Sequence, residues 1–437
     1  MPPTARIILP QEKLRPLIIT LVCTMLTGAS YGFGLYLFPM VMPEILHDLK
    51  LSYSDAGVIT AAAQTAPLFM IPLAGYLTGR VGGLRLIVFS QIFGAALLLA
   101  LYYVQGFFSL LIVVLLMRGW PLLVWIPLVM VAAEHIEFKW RATMLTVASS
   151  GACFFVFVDG ALSSYFLERH HWRYLWPTAA LCCLVFGVSA WLGLCRVNAW
   201  EYKRAGRSGK KRSYGELLKW AKTRSGVITF VVFALTGLTF TPFQTYLASY
   251  LRDNLNLTIA VTGAMWSVMG IAGIGGGLVM GVITDRMGAR IALFLTFFLA
   301  AVSAVLICMP ITTAQVMGMA VCYGIAQAVI YGLAPAYMSK ILAPESSVTA
   351  VSAGTLLLVS TAFFGNLLGG WSSEYFGSFF WLYLTTGLFF TMGALVSLGL
   401  TREQQRTSTI NRHNGLSTPC CQNQLSRCSS SRNQEEP

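Results

Sequence analysis

Leu51 to Gly82 reads LSYSDAGVITAAAQTAPLFMIPLAGYLTGRVG, and Leu257 to Gly288 reads LTIAVTGAMWSVMGIAGIGGGLVMGVITDRMG. The two stretches align without a gap. Leu51 meets Leu257, Gly57 meets Gly263, Gly75 meets Gly281, Arg80 meets Arg286 and Gly82 meets Gly288. Each is an apolar run long enough to cross a bilayer, and each ends in a basic, glycine-rich turn. Repetition of this kind points to a chain built from two duplicated halves, a common plan among membrane carriers.

The rest of the sequence supports a membrane location. Of 437 residues, 56% are apolar or aromatic and 11% are charged, where a soluble globular chain carries about 25% charged residues. The mean hydropathy of +0.68 agrees. Apolar blocks fall at 17–41, 56–78, 84–104, 107–131, 143–165, 174–195, 226–249, 260–283, 290–309, 314–337, 348–372 and 379–400, which predicts twelve transmembrane helices. The first block lacks the short core and small-residue cleavage site of a secretory signal, so it reads as a retained helix. Soluble enzymes, secreted disulfide scaffolds, coiled coils and disordered chains are excluded by this pattern.

The net charge of +13 reflects topology. With twelve crossings, alternate loops share a side. One set takes in residues 1–16, the turns near residues 80, 140, 286 and 340, the loop 196–225 and the tail 401–437, and it holds 25 of the 30 lysines and arginines. The other set holds Lys50, Arg169, Arg173 and Arg252, and Arg118 lies inside a helix. Basic loops face the cytoplasm, so both termini are expected there, in a plasma or inner membrane. The charge then serves orientation and attraction to the lipid bilayer, with no role in binding nucleic acid.

The expected organisation is a cytoplasmic N-terminus (1–16), a first six-helix bundle (17–195), a central cytoplasmic loop (196–225), a second six-helix bundle (226–400) and a disordered cytoplasmic tail (401–437). In the central loop, Ser213 and Glu216 have capping-box spacing ahead of Leu217, Leu218 and Trp220, which suits a short helix on the membrane surface. Cys420, Cys421 and Cys428 of the tail read as free thiols, and the other seven cysteines read as small packing residues without metal spacing.

Gly281, Asp285, Arg286, Gly288 and Arg290 in GVITDRMGAR resemble the short-loop motif of the major facilitator superfamily, and Gly75, Arg80, Gly82 and Arg85 resemble its partner copy, with Gly79 where the acid would stand. Arg118–Gly119, Arg141, Gly151 and the run His171, Trp172, Arg173 extend the likeness, which covers about residues 15–400. The resemblance implies an all-α integral membrane protein of twelve transmembrane helices in two six-helix bundles, the major facilitator fold. It also implies a secondary transporter that rocks about a midplane site.

Candidate site residues follow from cost. An ionisable group at membrane depth is expensive unless paired or wet, and the predicted helix interiors hold only Arg118 and Asp159. At a rise of about 1.5 Å per residue they sit about 16 and 9 Å below the outer edge, so an ion pair is within reach. One reading makes that pair a structural lock between the fourth and fifth helices. The other makes Arg118 an anchor for an organic anion, because its planar fork matches a carboxylate, and makes Asp159 a proton switch. Tyr31, Tyr36, Gln64, Gln244, Tyr246, Trp266, Gln327, Tyr331 and Asn366 are the amphipathic residues expected to line a cavity around them.

Other chemistries lack their parts. All five histidines are expected in loops or the tail, so no metal site or haem is predicted, and the run around Gly206 to Lys210 lacks P-loop spacing. The expectation is therefore a non-enzymatic carrier without cofactor, acting as a monomer on a small organic solute, first of all a monocarboxylate, by symport with protons. Proton-coupled efflux of amphipathic drugs is a second reading. It is weakened because the fifth helix contains no proline where the superfamily's drug antiporters show a Gly-Pro pattern. A membrane sensor that keeps the fold without transporting is a third.

Overall fold

A computed structural model of the chain describes residues 11–137, 140–196, 220–309, 312–342 and 344–401, and every regular element among them is helical. Twelve helices are long and apolar enough to cross a membrane: α1 (Arg15–Leu49), α2 (Tyr53–Val81), α3 (Gly83–Tyr102), α4 (Phe107–His135), α5 (Thr143–Leu167), α6 (Trp172–Arg196), α7 (Arg224–Thr245), α8 (Ile259–Met287), α9 (Ala289–Cys308), α10 (Thr313–Ile341), α11 (Thr349–Phe376) and α12 (Phe380–Ser397). Large apolar side chains stand on the outside of both halves, Phe108 at 76% exposure and Leu388 at 66% among them. Lipid solvates such a surface and water does not. The surface helix at Ser213–Leu218, most of the central loop and the tail with its three cysteines lie outside the described residues.

The helices match the apolar blocks except at the ends. α1 was expected to stop at 41, yet it runs to Leu49, where Lys50 takes a left-handed conformation (φ 52°). Its last turns carry Glu44, His47 and Asp48, which a hydropathy reading discards. Partners hold the two acids: Glu44 pairs with Arg252, and Asp48 accepts from Arg173 at 2.7 Å. His47 and His135 consequently lie in the last turns of α1 and α4, and not in loops as expected. Among the described residues, no three His, Cys, Asp or Glu side chains gather as a metal site would need.

Several residues quoted for the family likeness tie helix ends together. Arg173 Nη1 donates to the carbonyls of Tyr102 (3.0 Å) and Val104 (3.2 Å), which fastens the start of α6 to the end of α3. Arg141 donates to the carbonyls of Ala133 (2.6 Å) and Ile136 (3.1 Å), two acceptors that the end of α4 leaves without intrahelical partners. A Cβ on Gly151 would stand 2.4 Å from the Thr24 carbonyl, so this glycine lets α5 lie against α1.

The two bundles meet at one face of the membrane. On the face carrying residues 50–52, 168–171 and 250–258, α2 touches α11 where a Cβ on Gly57 would stand 3.2 Å from Gly370. On the same face, α5 touches α8 where Gly263 abuts Gly160 and Ser164. Ser267 Oγ donates to the Phe157 carbonyl (3.0 Å), and Gly270 abuts Phe157 one turn on. Toward the opposite face these helices part: nothing lies within 4 Å of a Cβ on Gly75 or Gly281. There the first bundle has its own core of Ile19, Leu26, Ile87, Val124, Leu128 and Ala148. The protein is sealed at one face and open at the other.

The repeat recurs in the backbone. Gly82 and Gly288 end α2 and α8 with φ 96° and 89° and ψ 148° and 157°. Side chains rarely adopt such angles, so both tight turns require glycine. Arg80 lies over the Tyr76 ring at 4.6 Å, Asp285 and Arg286 are exposed and Arg290 is half-exposed. Lys340 of α10 reaches the Thr284 carbonyl at 3.5 Å.

Candidate functional site

Four helices are interrupted at about the same depth. α1 contains a π-turn at Gly32–Tyr36. α2 breaks after Ala63 and resumes at Ala66, with Pro67 in its first turn. α4 breaks at Trp120 and Pro121 between Gly119 and Leu122. α7 ends at Thr245 before a short continuation over Leu247–Ser249. Proline removes a donor and clashes with the preceding turn, and a π-turn loosens the backbone ladder, frequently at functional sites. Within a membrane such breaks are tolerated only where protein or water serves the freed backbone.

The sequence candidates cluster at these breaks. Tyr31 precedes the π-turn and Tyr36 ends it, Gln64 stands at the break in α2, and Arg118 lies one residue before the end of the first segment of α4. Arg118 Nη2 donates to Gln64 Oε1 at 3.0 Å. The guanidinium also acts electrostatically on the hydroxyls of Tyr31, Tyr36 and, from the second bundle, Tyr331. Pro335 lacks the N–H that would serve the Tyr331 carbonyl four residues earlier, so α10 is loosened at this level as well. A narrow cleft of about 40 Å³ opens beside Arg118, lined also by Thr60, Gln64 and Thr245. The centre thus combines one fixed positive charge, three phenols, an amide and threonine hydroxyls drawn from both bundles.

Asp159 stands apart. It is fully buried, and neither carboxyl oxygen has a hydrogen-bond partner. A Cβ on Gly32 would lie 2.9 Å from Asp159 Oδ2, so the carboxyl packs directly behind the π-turn. The Arg118–Asp159 pair considered from the sequence is absent in this state. The reason is geometric: α1 runs between the two, with Gly32 against α5 and Gly34 against Trp120 and Met117 of α4.

The remaining candidates occupy three other places. Gln327 Nε2 donates to Gln244 Oε1, joining α10 to α7 one turn from Tyr331. Tyr246 donates to the Asn366 carbonyl at 2.6 Å, and both side chains are fully buried between α7 and α11. Trp266 is buried at the sealed face, in a cleft with Met40, Ser163 and Arg252. Thr60, Thr241 and Thr245 belong near the centre and were missed from the sequence. Their hydroxyls bond their own helix backbone or go unpartnered, and a threonine in an apolar run gives no signal.

The sealed face carries polar contacts between the bundles that were also missed. Glu44 of α1 pairs with Arg252 beyond α7, and Tyr53 of α2 donates to Asp253. Tyr53 further packs edge-on against Phe379 at 4.8 Å. These residues flank short loops, and single polar residues there look like ordinary solvated loop charge.

Comparison with known proteins fits this architecture. No curated protein matches the sequence. Among solved structures, a bacterial homolog of the human lysosomal transporter Spinster, in an inward-facing and unoccupied conformation, shares 15% identity over 90% of this chain and 98% of its own, with a TM-score of 0.65. A mutant of the nucleoside transporter NupG shares 14% identity over 89% of this chain and all of its own, with a TM-score of 0.69. The Major Facilitator Superfamily profile matches residues 24–365 and 229–426. Twelve helices, the duplicated turn and these matches together place the chain in the major facilitator superfamily.

Proposed function

We propose that this transporter carries a small organic anion, a monocarboxylate first of all, together with a proton, by exposing the Arg118 centre alternately to the two sides of the membrane. The observation that carries the reading is Arg118. It is a guanidinium at the level where the helices break, set between the bundles and hydrogen-bonded to the neutral amide of Gln64. No described carboxylate pairs with it. An arginine at membrane depth without a counter-ion is costly, and a carboxylate ligand would supply the missing charge through two parallel hydrogen bonds. The tyrosines present both apolar ring and hydroxyl, which suits the body of a short organic acid.

Asp159 is the proton site in this scheme. A fully buried carboxyl with both oxygens free of partners is costly to keep at membrane depth, and taking up and releasing a proton is a role that suits it. Its contact with Gly32 connects it through the π-turn to Tyr31 and Tyr36, and so to Arg118. With the basic loops facing the cytoplasm, the present state is open to the inside. The centre is complete within one chain, so a monomer suffices, and no covalent step is involved.

The test is uptake and counterflow in liposomes with acetate, lactate and benzoate as probes. Loss of the charged contacts in Arg118→Gln is expected to reduce uptake by about 30-fold or more, with the protein still inserted and folded. Normal uptake by that variant would remove Arg118 from the reading. Asp159→Asn is expected to abolish accumulation driven by a proton gradient while exchange of anion for anion continues. Intact accumulation would exclude Asp159 as the proton site. Binding without counterflow in the unaltered protein would identify a sensor.

A further inference from the structure

The sealed face holds a second set of donors that the central site does not use. Arg252 gives one nitrogen to Glu44, while its Nη1 is buried with no partner. Trp266, fully buried, lines the same cleft, and its indole N–H also lacks a partner. Ser164 of α5 walls the cleft from the first bundle, and its hydroxyl makes a long bond to the Ile259 carbonyl (3.4 Å). The cleft measures about 10 Å³, room for about one water molecule.

Glu44 and Arg252 belong to different bundles, so opening this face separates them. Asp253 is turned to α2, where Tyr53 donates to it. The other arginines of this face keep their contacts during such a movement: Arg173 pairs with Asp48 inside the first bundle, and Arg169 lies over Tyr165 at 3.8 Å. Arg252 alone among these three exchanges a partner across the bundles for open water.

We propose that Arg252, with the Trp266 indole N–H from the same bundle, forms a second anion-binding station at the mouth of the carrier, closed by Glu44 in the sealed state and taken by the solute's carboxylate when the face opens. The station rests on the reading of the protein as an anion carrier. It adds a role for the latch: the group that seals the face also receives the next solute. Glu44 and the solute then compete for the same guanidinium, so arrival of an anion at the mouth favours opening.

The test uses purified protein with Arg118→Gln, which removes the central anchor, combined with Glu44→Gln, which frees Arg252. Acetate is the carboxylate probe and bromide the halide probe, each titrated at constant ionic strength while the melting temperature is followed. Acetate is expected to raise the melting temperature in a saturable way. Adding Arg252→Gln should abolish that response, and adding Trp266→Phe should weaken apparent affinity by roughly ten- to a hundredfold, the worth of one hydrogen bond to a charged group. Equal acetate responses with and without Arg252 overturn the station. A response to bromide with none to acetate also overturns it, because the site then holds only a simple ion.

Should the combined variant fail to yield folded protein, the titration is made in Arg118→Gln alone. A weaker acetate response is expected there, retained by Arg252→Lys and lost in Arg252→Gln. Identical responses in those two variants overturn the proposal. Because every arm lacks the central anchor, these outcomes are independent of whether Arg118 itself binds anions. That question is settled by the uptake of Arg118→Gln on its own.

Discussion

The two ends of α8 place the same residue type in opposite surroundings. At the sealed end a Cβ on Gly263 would stand 1.6 Å from Ser164 Oγ and 2.7 Å from the Gly160 carbonyl, whereas at the other end a Cβ on Gly281 would meet nothing within 4 Å. α2 repeats the contrast, with Gly57 against Gly370 and Gly75 bare. The duplicated halves therefore carry glycine at both ends, and only one end is in contact. The bare pair keeps the close-approach residue ready at the face where contact is absent in this state, as a rocking movement requires.

Substitution at the two ends is the sharpest way to break this comparison. Gly263→Leu forces overlap at the sealed face, and overpacking of that kind costs about 1–3 kcal/mol. Uptake in liposomes is expected to fall by about tenfold or more and the melting temperature to drop. Gly281→Leu should leave the melting temperature unchanged while lowering turnover, because it obstructs only the movement that closes the open face. Equal losses of stability in the two variants would show that the ends do not differ.

Aqueous thiol labelling comes next in size. In a background with the native cysteines replaced, Gly75→Cys and Gly281→Cys are expected to react roughly tenfold faster than Gly57→Cys and Gly263→Cys, the ratio expected when exposure of the latter pair needs a transient opening. Similar rates at all four positions would mean that neither face is sealed. Smallest is the effect of the latch. Glu44→Gln removes one interaction that exists only in the sealed arrangement, so it should raise labelling at Gly57→Cys by about three- to tenfold through a shift in population. An unchanged rate would remove the Glu44–Arg252 pair from control of that face.

The fold was largely legible in the sequence because it follows from two coarse signals. Apolar block length fixed the number of helices, and the aligned turns at Gly82 and Gly288 fixed the duplication, later visible as matching positive φ angles. Cost alone picked out Arg118 and Asp159, since a charge at membrane depth needs a reason. Partners were not legible. The sequence places Arg118 and Asp159 within reach in depth but says nothing of α1 passing between them, which is a matter of packing order. The latch residues Glu44 and Asp253 escaped notice because an acid just beyond an apolar run looks the same whether it meets water or another bundle. Gln244, Tyr246 and Asn366 were selected for polarity at depth, a property that a hydrogen bond between neighbouring helices shares with a cavity wall.

The interruptions in α1, α2, α4 and α7 also bear on what happens between the two end states. Helices jointed at the level of Arg118 let the lower half-rods swing inward while the upper seal stays shut. The solute is then boxed in before either gate gives way. A cycle with such a double-locked stage never leaves a continuous water file across the bilayer, so the carrier does not short-circuit the ion gradients across it.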